Sequence, residues 1–182
     1  MPNDGLERFF YSVLSNSMAG IGFAALLLSL MSQFQISGLT RLSLGKGLGW
    51  GAAGFVALFA APSLGLAPEI PGVEAAVLGD RQLWWVFTVI CTALAIAVLT
   101  FVSGFYRYLA VLPLLLPHII GAPSITGPHF THSDPTAVLA LSELHHEFIV
   151  ATGATNLIFW MVLGLISAWA INRWVLVDVE TH

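Results

Sequence analysis

The chain has 182 residues, of which 57% are hydrophobic and only 9% charged, with a net charge of −4 and a mean hydropathy of +0.87. Soluble domains carry about a quarter of their residues as charges, so this chain reads as one solvated by a lipid bilayer. The acidic balance excludes a nucleic-acid partner, which needs clustered Lys and Arg. The single cysteine, Cys91, excludes an internal disulfide and a multi-thiolate metal site.

A spanning helix needs about 20 mostly apolar residues, and backbone groups in lipid must be satisfied within their own segment. The expected fold is therefore all-α, a polytopic bundle forming one transmembrane domain over 1–182. In chain order the apolar segments are 9–34, 42–66, 84–103, 106–120 and 148–174, with 121–147 left as a His/acid-rich loop. The fourth is short and carries Pro113 and Pro117. Because proline removes a backbone donor, that segment reads as bent, broken or re-entrant. No cleavable signal is expected, since Asp4 and Glu7 stand where a basic region would be.

The first segment carries Ser12 and Asn16, four residues apart near its start. The second carries Gly45, Gly47, Gly49, Gly51 and Gly54, a packing face that lets backbones approach closely. Gly153 and Gly164 in the last segment read the same way. The third carries Thr88 and Thr92 and the fifth Thr152 and Asn156, each pair on one helical face. These polar pairs read either as interhelical hydrogen-bonding groups or as a weakly polar passage. Trp84 and Trp85 at one end, and Trp169 and Trp174 at the other, read as headgroup-depth anchors.

With the N-terminus outside and the C-terminus inside, Arg41, Lys46, Arg107 and Arg173 fall on the cytoplasmic side, as the positive-inside bias requires. The outer side then receives Glu69, Glu74, Asp80, Asp134, Glu143 and Glu147. Five of the six histidines lie between His118 and His146. His118 follows a proline at the membrane boundary, His129 and His132 precede Asp134, and His145 and His146 sit between Glu143 and Glu147. Imidazole with carboxylate suits Co, Ni and Zn ions. In a short helix Glu143, His146 and Glu147 share one face, and His145 points about 100° away. The other reading is a set of solvated side chains titrating near pH 6.5. No HExxH, EF-hand loop or paired CxxC accompanies them, and no enzyme or haem constellation is expected.

Several strings together resemble one family. They are Ala61-Pro62-Ser63-Leu64-Gly65-Leu66-Ala67-Pro68-Glu69-Ile70-Pro71-Gly72, Arg81-Gln82-Leu83-Trp84-Trp85 and Leu116-Pro117-His118-Ile119-Ile120-Gly121-Ala122-Pro123. With Asp4-Gly5-Leu6-Glu7-Arg8 and Gly20-Ile21-Gly22-Phe23-Ala24, they resemble the CbtA family of bacterial cobalt transporter subunits over essentially the whole chain. The resemblance implies a further helix and acidic loop ahead of the segment matching Asp4–Arg8, so that this chain begins where that loop ends. It implies a bacterial inner-membrane protein, Co(II) or Ni(II) as cargo rather than as a permanent cofactor, and a small histidine-bearing partner, the single-span CbtB. A homo-oligomer is a further expected assembly. By position the resemblance points to Glu69, Arg81 and His118. His129, His132, Asp134, Glu143, His145, His146 and Glu147 are metal candidates by chemistry alone. Asn16, Glu69, Arg81, Thr88, Thr92, Thr152 and Asn156 are the candidate transport path. A non-transporting assembly or metal-sensing subunit is the alternative function.

Overall fold

The computed structural model describes residues 5–127, 130 and 132–175. Among them the chain is helical and has no strand. Four helices are long and apolar enough to cross a membrane: α1 (Leu6–Ile36), α2 (Leu44–Ser63), α3 (Leu78–Phe101), and the last, α5 (Pro135–Trp174). Between α3 and α5 lies the shorter apolar α4 (Gly104–Ile120). Its first part, Gly104–Ala110, is wound as a 3-10 helix, and Val111–Ile120 is α-helical. The chain divides into two units, one of residues 1–51 and 161–182, the other of residues 52–160.

In the first unit Leu27, Met31, Leu42, Ala168 and Ile171 form a buried cluster. Leu28, Trp50 and Leu163 pack on it. The connection after α1 is tied down by side chains: the Leu42 N–H donates to Gln35 Oε1 at 2.6 Å, and Lys46 Nζ donates to Thr40 Oγ1 at 2.9 Å. Gly47 and Gly51 of α2 face Gly164 and Ala168 of α5. A Cβ on Gly47 would lie 2.7 Å from both the Gly164 carbonyl oxygen and the Ala168 Cβ. The four-residue spacing of small side chains is thus what lets two backbones touch. Gly49, on another side of α2, faces open space, and Gly45 has only the Ser43 hydroxyl within reach.

In the second unit α2 widens into a π turn at Val56–Ala60. The physical cause is Pro62, whose ring would clash with the carbonyl four residues back. The Ala61 N–H reaches Val56 O instead, five residues back, and Pro62 is fully buried. Trp84, Thr88, Cys91, Thr92 and Ala95 form the buried stripe of α3, at spacings that keep them on one face. This stripe serves the packing of α3 against α4 and against the π turn of α2. Trp160 is buried where Gly54 leaves room for its ring.

Two expectations change here. Trp84 is no headgroup anchor: it is buried, and its indole Nε1–H donates to the Pro117 carbonyl at 3.2 Å. That carbonyl also accepts from the Gly121 N–H at 3.0 Å, so each of its lone pairs has a donor. The segment 135–147, expected as loop, is the start of α5. Asp134 caps it. Its Oδ1 accepts from both the Thr136 N–H and the Thr136 hydroxyl, each at 2.8 Å, while Pro135 takes the first helical position, where no N–H is needed.

Candidate functional site

At about 1.5 Å per residue, the 36 α-helical residues of α5 reach about 54 Å, against a hydrocarbon layer of about 30 Å. Several turns of α5 therefore project beyond the apolar layer. The first turns carry Glu143, His145, His146 and Glu147. Here α5 meets the connections on either side of α3 and α4. A cleft of about 220 Å³ is lined by Gly65–Ala67, Glu69, Val73–Ala76, Arg81, Pro123–Ile125 and His145. Glu69 enters the lining from the turn over 68–72, in which Gly72 adopts φ +95°, a left-handed conformation that glycine takes without steric cost. Gly65 is required for a different reason: a Cβ there would run into the Trp84 ring and sit 2.9 Å from the Ala122 Cβ.

Five polar side chains line the cleft: Glu69, Glu74, Arg81, Ser124 and His145. Arg81 Nη2 donates to Glu69 Oε2 at 2.6 Å, and the two side chains are 24% and 28% exposed. Among the described residues the contact is made at one point, and Arg81 Nε is buried with no hydrogen-bond partner among them. From α5, His145 Nε2 lies 2.9 Å from the Pro68 carbonyl oxygen. A carbonyl only accepts, so Nε2 carries the proton and neutral His145 keeps its lone pair at Nδ1. Phe130 stands edge-on to the His145 ring, centroids 5.8 Å apart.

The remaining candidates are distributed around this cleft or away from it. His118 is half-buried near the end of α4, its ring 5.9 Å from that of Trp84, and it does not line the cleft. His132 Nδ1 accepts the Asp134 N–H at 3.0 Å, so that lone pair is already used. Asp134 is committed to capping. The Thr136 hydroxyl, then the Thr136 N–H, hold its carboxyl below the ordinary carboxylate range. Glu143, His146 and Glu147 are exposed on α5. His129 lies outside the described residues. Among the described residues no three His, Cys, Asp or Glu side chains are gathered around a common metal position.

Of the polar pairs inside α3 and α5, Thr88 and Asn156 are locally engaged through their side chains. Thr88 and Thr92 are both fully buried. Thr88 Oγ1 donates to the Trp84 carbonyl at 2.9 Å, and Thr92 Oγ1 has no partner among the described residues. Asn156 Nδ2 donates to the Thr152 carbonyl at 3.0 Å within α5. Asn16 belongs to the first unit and is exposed on α1.

The sequence matches the family described as "Probable cobalt transporter subunit (CbtA)" over residues 2–172. The chain belongs to the CbtA family. No curated protein and no solved structure matches it. Membership of CbtA and four membrane-length helices together make it a membrane protein of a cobalt-transport family, and the word subunit implies a complex with a partner.

Sequence reasoning did not single out Trp84, Gly65 or Phe130 as parts of the site. Trp84 had a signal in the tandem tryptophans, which equally suits a membrane anchor. Gly65 had one in the Pro-bracketed turn. Phe130 had none, because its place depends on the approach of α5 to the preceding connection.

Proposed function

We propose that this chain is the membrane subunit through which Co(II), with Ni(II) as a chemically similar cargo, enters a bacterial cell across the inner membrane. Loading takes place from the outer side at the cleft that Glu69, Arg81 and His145 line together, and that shared lining is the observation carrying the reading. The Glu69 carboxylate and the His145 Nδ1 lone pair are oxygen and imidazole donors suited to these ions. A water needs about 10–15 Å³ of such space, so a 220 Å³ cleft has room for an ion that keeps part of its hydration shell. Two protein donors with water completing the shell hold the ion weakly, as a transport site must if it is to release its cargo.

The exposed Glu143 and Glu147, with Asp134 before them, raise the local concentration of cations at the mouth, and His132 and His146 are further imidazoles beside them. His118 and the buried Thr88 and Thr92 are the polar positions inward of the mouth, and Thr152 and Asn156 supply further ones on α5. The metal is cargo, with no permanently bound group. An inward membrane potential of 100 mV is worth about 4.6 kcal/mol to a divalent ion, sufficient to drive entry without nucleotide hydrolysis. A small single-span subunit and a second copy of the chain are the proposed partners.

Reconstituted vesicles test this reading. With the partner subunit present, cobalt should enter in proportion to the imposed potential, and nickel should compete. Cobalt binding without any flux would instead make the chain an assembly or metal-sensing subunit.

A further inference from the structure

Resting on that reading of the cleft, we infer that the Arg81 guanidinium is the resident cation of the loading site, and that an arriving divalent ion loads by displacing it from Glu69. Four observations carry this. The ion pair lies on the wall of the cleft itself, with the imidazole of His145 on the same lining. Glu69 contributes the carboxylate oxygen that Arg81 holds at 2.6 Å, so an ion using this oxygen meets an occupied ligand. The contact is the single Nη2–Oε2 one, not the two-point fork that makes an arginine–carboxylate pair strong. Finally, the buried Nε–H has no acceptor among the described residues, so this position leaves a guanidinium donor unused and its departure sacrifices little.

An arginine bound to structure alone is ordinarily held by several of its five donors. Here the guanidinium's one hydrogen bond among the described residues lies on an opening, and its partner is a carboxylate, a suitable donor for a cation. Exchange has two consequences. A vacant cleft never leaves Glu69 as an uncompensated charge, and the affinity for the ion is reduced by the work of displacing Arg81. The same positive charge repels the bound ion and favours its onward release.

The test is cobalt binding to the purified full chain by equilibrium dialysis, comparing wild type with Arg81→Gln, Arg81→Lys, Glu69→Gln and Arg81→Ala. Arg81→Gln is expected to tighten binding by roughly tenfold or more, because a repelling charge a few ångströms from the ion is removed. Arg81→Lys should stay near wild type, and Glu69→Gln should lose the site. In Arg81→Ala, added guanidinium should compete with cobalt and restore the weaker wild-type affinity. Should Arg81→Gln fail to fold, the guanidinium competition in Arg81→Ala and the behaviour of Arg81→Lys decide the matter. Equal or weaker binding by folded Arg81→Gln or Arg81→Ala, with Glu69→Gln still losing the site, overturns the exchange while leaving the cleft as the loading point. Undiminished binding by Glu69→Gln removes the cleft reading itself, and the exchange with it.

Discussion

Gly47 and Gly164 meet backbone to backbone, with no room between them for a side chain: a Cβ on Gly47 would stand 2.7 Å from the Gly164 carbonyl oxygen, and one on Gly164 would strike the Gly47 carbonyl. A backbone cannot yield as the end of a flexible side chain can, so substitution here has to separate α2 from α5. Gly47→Val and Gly164→Val should each destabilise the chain by about 1–3 kcal/mol, the usual cost of overpacking. Gly49→Ala, which points into open space, should be neutral or slightly stabilising by helix propensity. Thermal unfolding in detergent micelles distinguishes the two positions.

Trp84 links α3 to the end of α4 through one hydrogen bond and a buried ring. Trp84→Phe keeps most of the apolar volume and loses the bond to Pro117 O, a loss of about 0.5–1.5 kcal/mol. Trp84→Ala should cost about 3–5 kcal/mol, as truncation of a large buried aromatic does. Because the ring also contacts His118, the alanine variant should change the histidine's proton NMR environment more than the phenylalanine variant does.

The first turn of α5 has a built-in pH dependence. Its hydrogen bonds with Thr136 lower the folded pKa of Asp134 below its unfolded value, which lies near 3.9 for a free aspartate. Capping is therefore fully present above the unfolded pKa and is lost as pH falls through the folded one. The hydrogen-exchange protection factor at the start of α5, which removes the intrinsic pH dependence of amide exchange, should fall in that acidic window and remain unchanged across neutral pH. Asp134→Ala should exchange quickly at every pH, whereas Asp134→Asn, still a good cap, should abolish the acid sensitivity and keep much of the protection.

His145 and His146 are adjacent and should behave differently. His145→Ala removes the bond to Pro68 O and the cleft's imidazole, so cobalt binding should weaken by roughly tenfold or more, consistent with loss of a metal-ligating group. His146 is exposed on the other side of the helix, and His146→Ala should change binding by less than about twofold, a difference visible by equilibrium dialysis at moderate salt.

That contrast marks the boundary of what the sequence makes legible. Apolar length alone locates the long helices, and glycine spacing in α2 marks a packing face. Spacing does not name the opposing residues: Gly164 and Ala168 emerge only when two distant stretches are brought together. The His/acid region favours Glu143, His146 and Glu147 because they share a helical face, yet the cleft takes His145, which points away from them. Helical periodicity shows which residues travel together but not which face meets a neighbour. Asp134-Pro135-Thr136 is a readable helix start, but the His and acid residues after it mask the continuity of that helix with the span. Trp84 and Trp85 could be told apart only by the Pro117 carbonyl, 33 residues away in sequence.

The most direct measurement is radioactive cobalt uptake in cells producing the chain with its partner, comparing wild type with Glu69→Gln at equal membrane abundance. Uptake should depend on the chain and fall at least about tenfold in Glu69→Gln, the scale expected when a charged ligand of a weak site is lost. Unchanged uptake by Glu69→Gln, or uptake that does not require the chain at all, contradicts loading at this cleft.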